Sequence, residues 1–439
     1  MSEALEELEA ENPSAYPPSI QAGIPKLGDT PKGWTRYRLG DLLHKVERPA
    51  ELVDSETYQL VTAKRNRGGV VAREVLRGDQ IRTKTQFYIE AGDFLISNRQ
   101  ISHGACGIVP ESLNRAVVSN EYTAFHTADV LDPAFLNALS HSIYFQQTCF
   151  HSSIGVHVEK LVFRLDDWMR WEFDIPSLQE QKRIVSVLNS WDRAIDQTER
   201  LIAAESDRRS VLLEHLFAGR LFGRSEGTPY HQAPLGEISD CYSGGTPDRG
   251  DAGSFGGGIP WVKSGEVASS NIIATEETLS DRGLATSSAK WVPAGSTLVA
   301  MYGANAGQVG RLGVDATTNQ AILAVVPRTE LVTPEYLYHS VMNAIPSLMR
   351  KVQGSGQPNL SAGIVKEERI VVPALQDQIK ISQFASTLET SIQLLETSQA
   401  KLLSQRRGLM QKLLTGERQL DGRFDDFATA VQTASRGTA

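Results

Sequence analysis

The residues of this chain best suited to chemistry are cations and amides, and the chemistry they suit is recognition. Between Leu60 and Arg115 stand nine basic residues, Lys64, Arg65, Arg67, Arg73, Arg77, Arg82, Lys84, Arg99 and Arg115, against five acidic ones, a local surplus of four. Asn66, Asn98 and Gln100 lie among them. Arg and Lys neutralise phosphates, and Arg, Asn and Gln can grip base edges through two hydrogen bonds, so the composition fits a nucleic-acid contact. A solvated loop has the same composition. Lys64, Arg65, Asn66, Arg67, Arg82, Lys84, Asn98 and Arg99 are the candidate contacts of this stretch.

A second group lies past the midpoint. Ile259-Pro260-Trp261-Val262-Lys263-Ser264-Gly265 and Ala300-Met301-Tyr302-Gly303-Ala304-Asn305-Ala306-Gly307-Gln308 set aromatic, amide and basic side chains among glycines. Glycine lets a backbone come close to a ligand, so these runs also fit a DNA contact. The candidates here are Thr246, Arg249, Lys263, Tyr302, Asn305 and Gln308, with Gln357 and Asn359 in the loop 354–359. Trp261 taken alone reads as a core residue.

Catalytic patterns are missing. Ser243-Gly244-Gly245-Thr246-Pro247 has no Gly-Lys-Ser/Thr ending, so it reads as a close-approach turn and not as a phosphate cradle. Asp132-Pro133-Ala134-Phe135 lacks the second proline of an amino-group methyltransferase motif and reads as a helix cap. The nine His show no His-Glu-x-x-His spacing, and Cys106, Cys149 and Cys241 show no paired spacing, so neither a metal nor a cofactor is expected in this chain. A net charge of −8 argues against gripping nucleic acid by charge alone. No apolar run approaches the length of a membrane span, and Glu3, Glu6, Glu7, Glu9 and Glu11 make the start acidic where a signal peptide is basic; a cytoplasmic location is expected.

The elements that must position these residues are duplicated. Ile175-Pro176-Ser177-Leu178-Gln179-Glu180-Gln181 recurs as Val372-Pro373-Ala374-Leu375-Gln376-Asp377-Gln378, a shift of 197 (378 minus 181), and the gapless match ends at Gly219 and Gly416. Within the first copy Ile184, Leu188, Trp191, Ile195, Thr198, Ile202, Glu205, Arg209, Leu212 and Leu216 step by fours and threes, which is a heptad seam. The same steps in the second copy give Ile381, Ala385, Leu388, Ile392, Leu395, Gln399, Leu402, Arg406, Leu409 and Leu413. Each run predicts a helix of about 60 Å, too long and one-sided to stand alone. Pairing the two antiparallel about a pseudo-twofold axis satisfies both seams, with the polar seam residues fixing register. Packing on separate proteins, or oligomerisation, is the alternative. Ser177 with Glu180 predicts a capping box for the first start, and Ala374 lacks one.

The remaining chain divides accordingly: an acidic, Pro-dotted flexible lead (1–30), a first globular domain (31–176), the first long helix (177–222), a second globular domain (230–373), the second long helix (374–418) and a tail (419–439). The domains share a frame. Ala91-Gly92-Asp93-Phe94-Leu95-Ile96-Ser97 matches Ala294-Gly295-Ser296-Thr297-Leu298-Val299-Ala300, Gly104 and Gly107 match Gly307 and Gly310, and Leu131-Asp132-Pro133 matches Val332-Thr333-Pro334. Short apolar runs bounded by Gly and Pro predict strands, and the Pro-led segments short helices, giving an α+β class. The stretches 63–88 and 244–290 do not align, as expected of two readers of different targets.

Taken in order, these motifs resemble the specificity subunits of Type I restriction-modification systems. The carriers are the paired Pro-x-Leu-Gln-Glu/Asp-Gln openings, Ser-Gly-Gly-Thr-Pro, Ile-Pro-Trp-Val-Lys-Ser-Gly-Glu, Thr318 to Ala321, Gln357-Pro358-Asn359-Leu360-Ser361, and Val118-Ser119-Asn120-Glu121-Tyr122. The resemblance implies a non-catalytic reader of double-stranded DNA: two target-recognition domains separated by two long antiparallel coiled-coil helices, each domain reading half of a bipartite site. It further implies modification subunits, two per chain, that bring S-adenosylmethionine, and restriction subunits that bring ATP and Mg. The alternative is a two-domain protein-binding scaffold that never meets DNA.

Overall fold

A computed structural model of the chain describes residues 14–155, 161–220, 230–268, 271–352 and 359–424. Two compact units emerge, Met1–Arg200 with Glu396–Ala439, and Leu201–Leu395. In the first, a two-stranded ladder joins Thr35–Arg38 to Glu172–Ile175, the strand that runs into the helix-opening proline. A frame sheet then follows in the order Leu43–Val46, Tyr122–Thr127, Phe94–Ser97, Cys106–Ile108. Its aromatic core includes the fully buried Phe94, Phe125, Phe135, Phe145 and Trp168.

The second unit repeats that plan. His231–Pro234 pairs with Arg369–Val372, and its frame sheet runs Ser239–Ser243, Ile322–Pro327, Thr297–Ala300, Val309–Leu312, with Asn271–Ile272 added at the edge. Gly107 faces Leu95 across the first frame and Gly310 faces Leu298 across the second. The matched turn glycines Gly92 and Gly295, and Gly104 and Gly307, all have positive φ, a backbone state that costs a side-chain-bearing residue energy.

The stretches that do not align still build the same second sheet. Val117–Ser119 lies between antiparallel Gln86–Tyr88 and parallel Thr57–Ala63, with Val70–Arg77 outside. Ala316–Thr318 lies between antiparallel Trp291–Val292 and parallel Phe255–Val262, with Glu277–Leu279 outside. A strand is specified by alternation and burial, which many residue choices satisfy, so topology persists after the letters have diverged. Pro49–Ala50 extends the first of these sheets only.

Two helices of 40 residues each, Leu178–Phe217 and Leu375–Leu414, arise from the duplicated sequence. Ser177 Oγ accepts the Glu180 N–H at 3.3 Å, while at the second start only the Ala374 carbonyl receives the first turn's N–H groups. Gly219, at φ +72°, ends the first helix, with Gly219 N–H on the Leu216 carbonyl and Arg220 N–H on the His215 carbonyl. In each unit the two helices run antiparallel. Ile184 and Leu188 share a core with Met410 and Leu413 in the first, and Leu216 and Phe217 share one with Ile381 in the second.

Every seam position is buried or half-buried, including Trp191, Ile195, Ile202 and Leu212 on the first helix and Leu388, Ile392, Leu395, Leu402 and Leu409 on the second. The polar seam residue Arg406 is 3% exposed and grips Asp192 at 2.9 and 3.0 Å.

The repeated glutamine of the helix opening ties each helix to its domain. Gln181 Oε1 accepts the Asp132 N–H at 2.8 Å while its Nε2 donates to the carbonyls of Val130 and Pro176, both at 2.8 Å. Gln378 repeats this with Thr333, Leu331 and Pro373 at 2.8, 2.9 and 2.9 Å. Both glutamines are fully buried. Asp132 also caps the helix Pro133–Ser140, accepting from Ala134 and Phe135. Its counterpart Pro334–Val352 is not a short helix but runs 19 residues. In the first unit Ser142 caps a separate helix, Ile143–His151, where the second continues unbroken.

The lead differs from its expected flexibility. Residues 14–30 are held along the first unit by hydrogen bonds to its side chains. Arg67 donates to the carbonyls of Pro17 and Pro18, Arg36 donates to that of Gly28, and Thr30 Oγ1 donates to Asp174. Residues 1–13 and the tail 425–439 lie outside the described residues.

Replacing either tying glutamine leaves backbone groups unpaired, so Gln181→Ala and Gln378→Ala should each cost about 3 kcal/mol. Scanning calorimetry should show the first lowering the melting of one unit and the second that of the other; unchanged melting in both would remove the tie from the account. His141, 6% exposed, is pushed down to about 3 by burial, with Arg67 and Arg406 adding repulsion. The unfolded chain takes up this proton below about pH 6.5 and the folded chain does not, so stability falls as pH drops, by about 2 kcal/mol at pH 5. His141→Phe should flatten unfolding midpoints between pH 7 and 5.

Candidate nucleic-acid interface

The long hairpin of the first unit, Thr57–Ala63 with Val70–Arg77, ends in a turn that contains Lys64, Arg65, Asn66 and Arg67. Asn66 and Arg67 both have positive φ, held by their N–H groups on the carbonyls of His103 and Gly104. That geometry drives Arg67 inward to 7% exposure, onto the carbonyls of Pro17 and Pro18. Burial pulls its pKa down to about 10. Arg67 is therefore engaged with the lead and largely withdrawn from the surface, unlike its neighbours in the turn. Asn66 Oδ1 accepts from Ser19 at 3.0 Å, and Lys64 and Arg65 stay exposed at the tip.

Other candidates converge on the second sheet. A groove of about 450 Å³ crosses it, lined by Arg73, Gln80, Arg82, Gln86, Asn120 and Glu121 among others. Arg99 pairs with Glu121 at 2.7 Å, and Asn98 Oδ1 accepts from Thr123 at 2.9 Å. Arg82, Asn98 and Arg99 thus gather at or beside one concavity. Lys84 turns instead to the Gly78 carbonyl at 2.7 Å. Arg73, Gln86 and Asn120 also line this groove and were not among the candidates.

On the second unit the cations face carboxylates. Arg249 forks onto Glu277 at 2.6 and 3.4 Å and lies over the rings of Phe255 and Trp261 at 4.7 and 5.0 Å. Lys263 reaches Glu276 at 2.6 Å and Glu277 at 3.1 Å. Hydrogen bonds from Arg249 and Lys263 lower the Glu277 pKa, and those to Glu276 and Glu277 raise that of Lys263. These two candidates are paired within the chain, which the sequence did not show. Thr246 donates to Gln320 Oε1. Tyr302, 38% exposed, bridges to Asn359, and the Gln308 N–H closes a turn on the Asn305 carbonyl. Gln357 lies outside the described residues.

The Ser-Gly-Gly-Thr-Pro run is a close-approach turn. A side chain on Gly244 would meet the Thr318 carbonyl oxygen at 2.0 Å and one on Gly245 would meet Ser288 Oγ at 2.3 Å. Trp261 is buried, its Nε1 donating to the Gly245 carbonyl at 3.0 Å. Among the described residues no group of three or more His, Cys, Asp or Glu is placed to hold a metal, and no described helix is long and apolar enough to cross a membrane.

Comparison with known proteins places this geometry. The family model described as Type I restriction modification DNA specificity domain matches twice, over residues 31–205 and 229–404. The EcoR124I/EcoR124II specificity subunit of Escherichia coli is 23% identical over 235 residues, which is 52% of this chain and 57% of that relative, little over half its length. The MjaVIII specificity subunit of Methanocaldococcus jannaschii is 20% identical over 88% of this chain and 93% of its own. Among solved structures, the HsdS subunit of Thermoanaerobacter tengcongensis superposes with a TM-score of 0.56 at 17% identity, covering 89% of this chain and 99% of that one. A chain solved for complex assembly of the type I R-M system gives 0.64 at 18% identity, covering 88% and 98%. These superpositions share the fold.

If the second unit's sheet faces phosphate, Glu277 holds back two cations. Glu277→Gln should raise affinity for unrelated duplex about threefold at low salt and steepen its salt dependence, with little change in melting temperature. Salt titration by fluorescence anisotropy checks this, and an unchanged slope would place Arg249 and Lys263 away from the phosphates.

Proposed function

The chain belongs to the Type I restriction modification DNA specificity family, and from that premise we propose that it is the DNA-recognition subunit of a restriction-modification complex. Each unit reads one half of a bipartite duplex site through its second sheet and adjoining loops. The paired helices set the spacing between the halves, as dimer geometry does in other DNA readers. The chain itself is non-catalytic. Modification subunits, two per chain, supply S-adenosylmethionine and methylation, and restriction subunits supply ATP- and Mg-dependent work, all in the cytoplasm.

One observation supports two readers above all: equal sheet order carries unlike faces. Arg73, Arg82, Gln86 and Asn120 line the first, where the second presents Arg249 and Lys263 tied to Glu276 and Glu277. A scaffold for two equal clients would have no need of that divergence. Exposed apolar residues on the long helices, Leu201, Val211, Ile379 and Leu394, suit docking of partner chains away from the seam.

Co-expressed with its modification subunit, the chain should direct methylation to one split sequence. Exchanging residues 60–115 for those of another specificity subunit should change one half of that sequence and leave the other half and the spacing intact. Genome-wide mapping of methylated adenines reads this directly; a change in both halves, or in neither, rules out the assignment of one reader per unit.

A further inference from the structure

The duplication extends to a groove in each unit between the domain helix and the long-helix pair, and the two grooves are covered differently. In the first unit a cavity of about 460 Å³ is lined by Asn137, His141, Leu188, Asp192, Arg406 and Tyr16 of the lead. Arg406 lies 4.5 Å from the Tyr16 ring, donates to the Ala15 carbonyl at 3.4 Å, and keeps its other face on Asp192. Tyr16 meets the His141 ring edge-on at 4.4 Å. The carbonyls of the following Pro17 and Pro18 are held by Arg67. The Tyr-Pro-Pro segment is thus seated by a cation against its ring, an aromatic at its edge and donors along its carbonyls.

In the second unit the helical counterparts, at the 197-residue shift, are Ala385 for Leu188, Glu389 for Asp192 and Arg209 for Arg406 (406 minus 209). With Leu213, His339, Met342 and Arg350 they line a groove of about 360 Å³. Arg and acid therefore face the groove again, but the described residues supply no segment in the place of Tyr16. Arg406 is buried beneath the lead whereas Arg209 is only half-buried, and its Nε is buried with no hydrogen-bond acceptor among the described residues. Tyr338, nearby on the domain helix, feels the charges of Glu389 and Arg209.

We propose that the second groove binds an extended segment of a separate partner chain with a tyrosine followed by prolines, seated on Arg209 as Tyr16 is seated on Arg406. Extended proline-bearing segments are pre-ordered and lose little entropy on docking, and a guanidinium over the ring adds attraction. The chain's own lead is seated in the first groove at high local concentration and is not free for the second, so the occupant assigned is an outside chain. This inference does not depend on the DNA reading.

The probe is a labelled peptide of residues 14–23, titrated into the full chain. One peptide should bind per chain, Tyr16→Ala in the peptide should abolish binding, and Arg209→Ala in the protein should weaken it about tenfold while Arg209→Lys weakens it less. A photoreactive group at the tyrosine position should crosslink to residues 339–350. The peptide variant requires no change to the protein, so loss of binding cannot be attributed to misfolding. No binding up to about 1 mM, or binding indifferent to Arg209, overturns the proposal. A concentration-dependent dimer abolished by Tyr16→Ala in the chain would make the occupant a second copy and overturn the assignment of a separate partner.

Discussion

Each half of this chain depends on one buried amide. A reading domain packs on its long helix through a shared apolar core, with Ile184 and Leu188 against Phe135 and Leu136 in the first unit, but apolar packing is non-directional and does not by itself fix the angle at the proline turn. Gln181 and Gln378 remove the freedom by satisfying three backbone groups at once: the N–H at the cap of the domain helix, the carbonyl two residues before it, and the carbonyl of the helix-opening proline. Only an amide can accept one bond and donate two in that geometry, since a carboxylate lacks the donors and a Lys lacks the acceptor. The motif is therefore a joint, and its repetition fixes both domains to their helices in the same local manner.

Much of this was legible in the letters and some was not, for definable reasons. The duplicated openings, the seam from Ile184 to Leu413 and the terminal glycines could be read because helix periodicity and caps are local codes. The frame strands could be read from glycines that sit at the same register in both sheets. The common order of the second sheets could not, because strand partners are set by contacts distant in sequence. The fate of the cations was equally hidden: Arg67 looks no different from Arg65 in the sequence, yet a left-handed turn sends one beneath the prolines and leaves the other at the surface. The contacts of residues 14–30 were hidden for a related reason, since composition reports what a segment can bury alone and not what donors it will meet.

The net charge of −8 takes on a different meaning once the ion pairs are placed. Arg249 and Lys263 are held by Glu277 and Glu276 at the surface, so the second sheet offers positioned donors without a strong positive field. Approach of a phosphate must compete with those carboxylates. A face built this way discriminates between ligands that can displace a glutamate from a guanidinium and ligands that cannot, at a cost in bulk attraction. Low nonspecific adhesion suits a protein that must pass over many wrong sequences, provided other chains supply part of the phosphate contact.

Duplication also explains where the two units are free to differ. The seam and the glutamine joint serve both copies, and a change in either loosens the attachment of a whole domain. The second sheet serves only its own target, so its residues can diverge while its strand order stays. Among the described residues the lead has no counterpart in the second unit, where residues 211–217, at the 197-residue shift from 14–20, form the end of the long helix. A doubled gene thus supplies two matching grooves, of which the described residues cover one, and the arginine and carboxylate that line the other belong to the same helix pair.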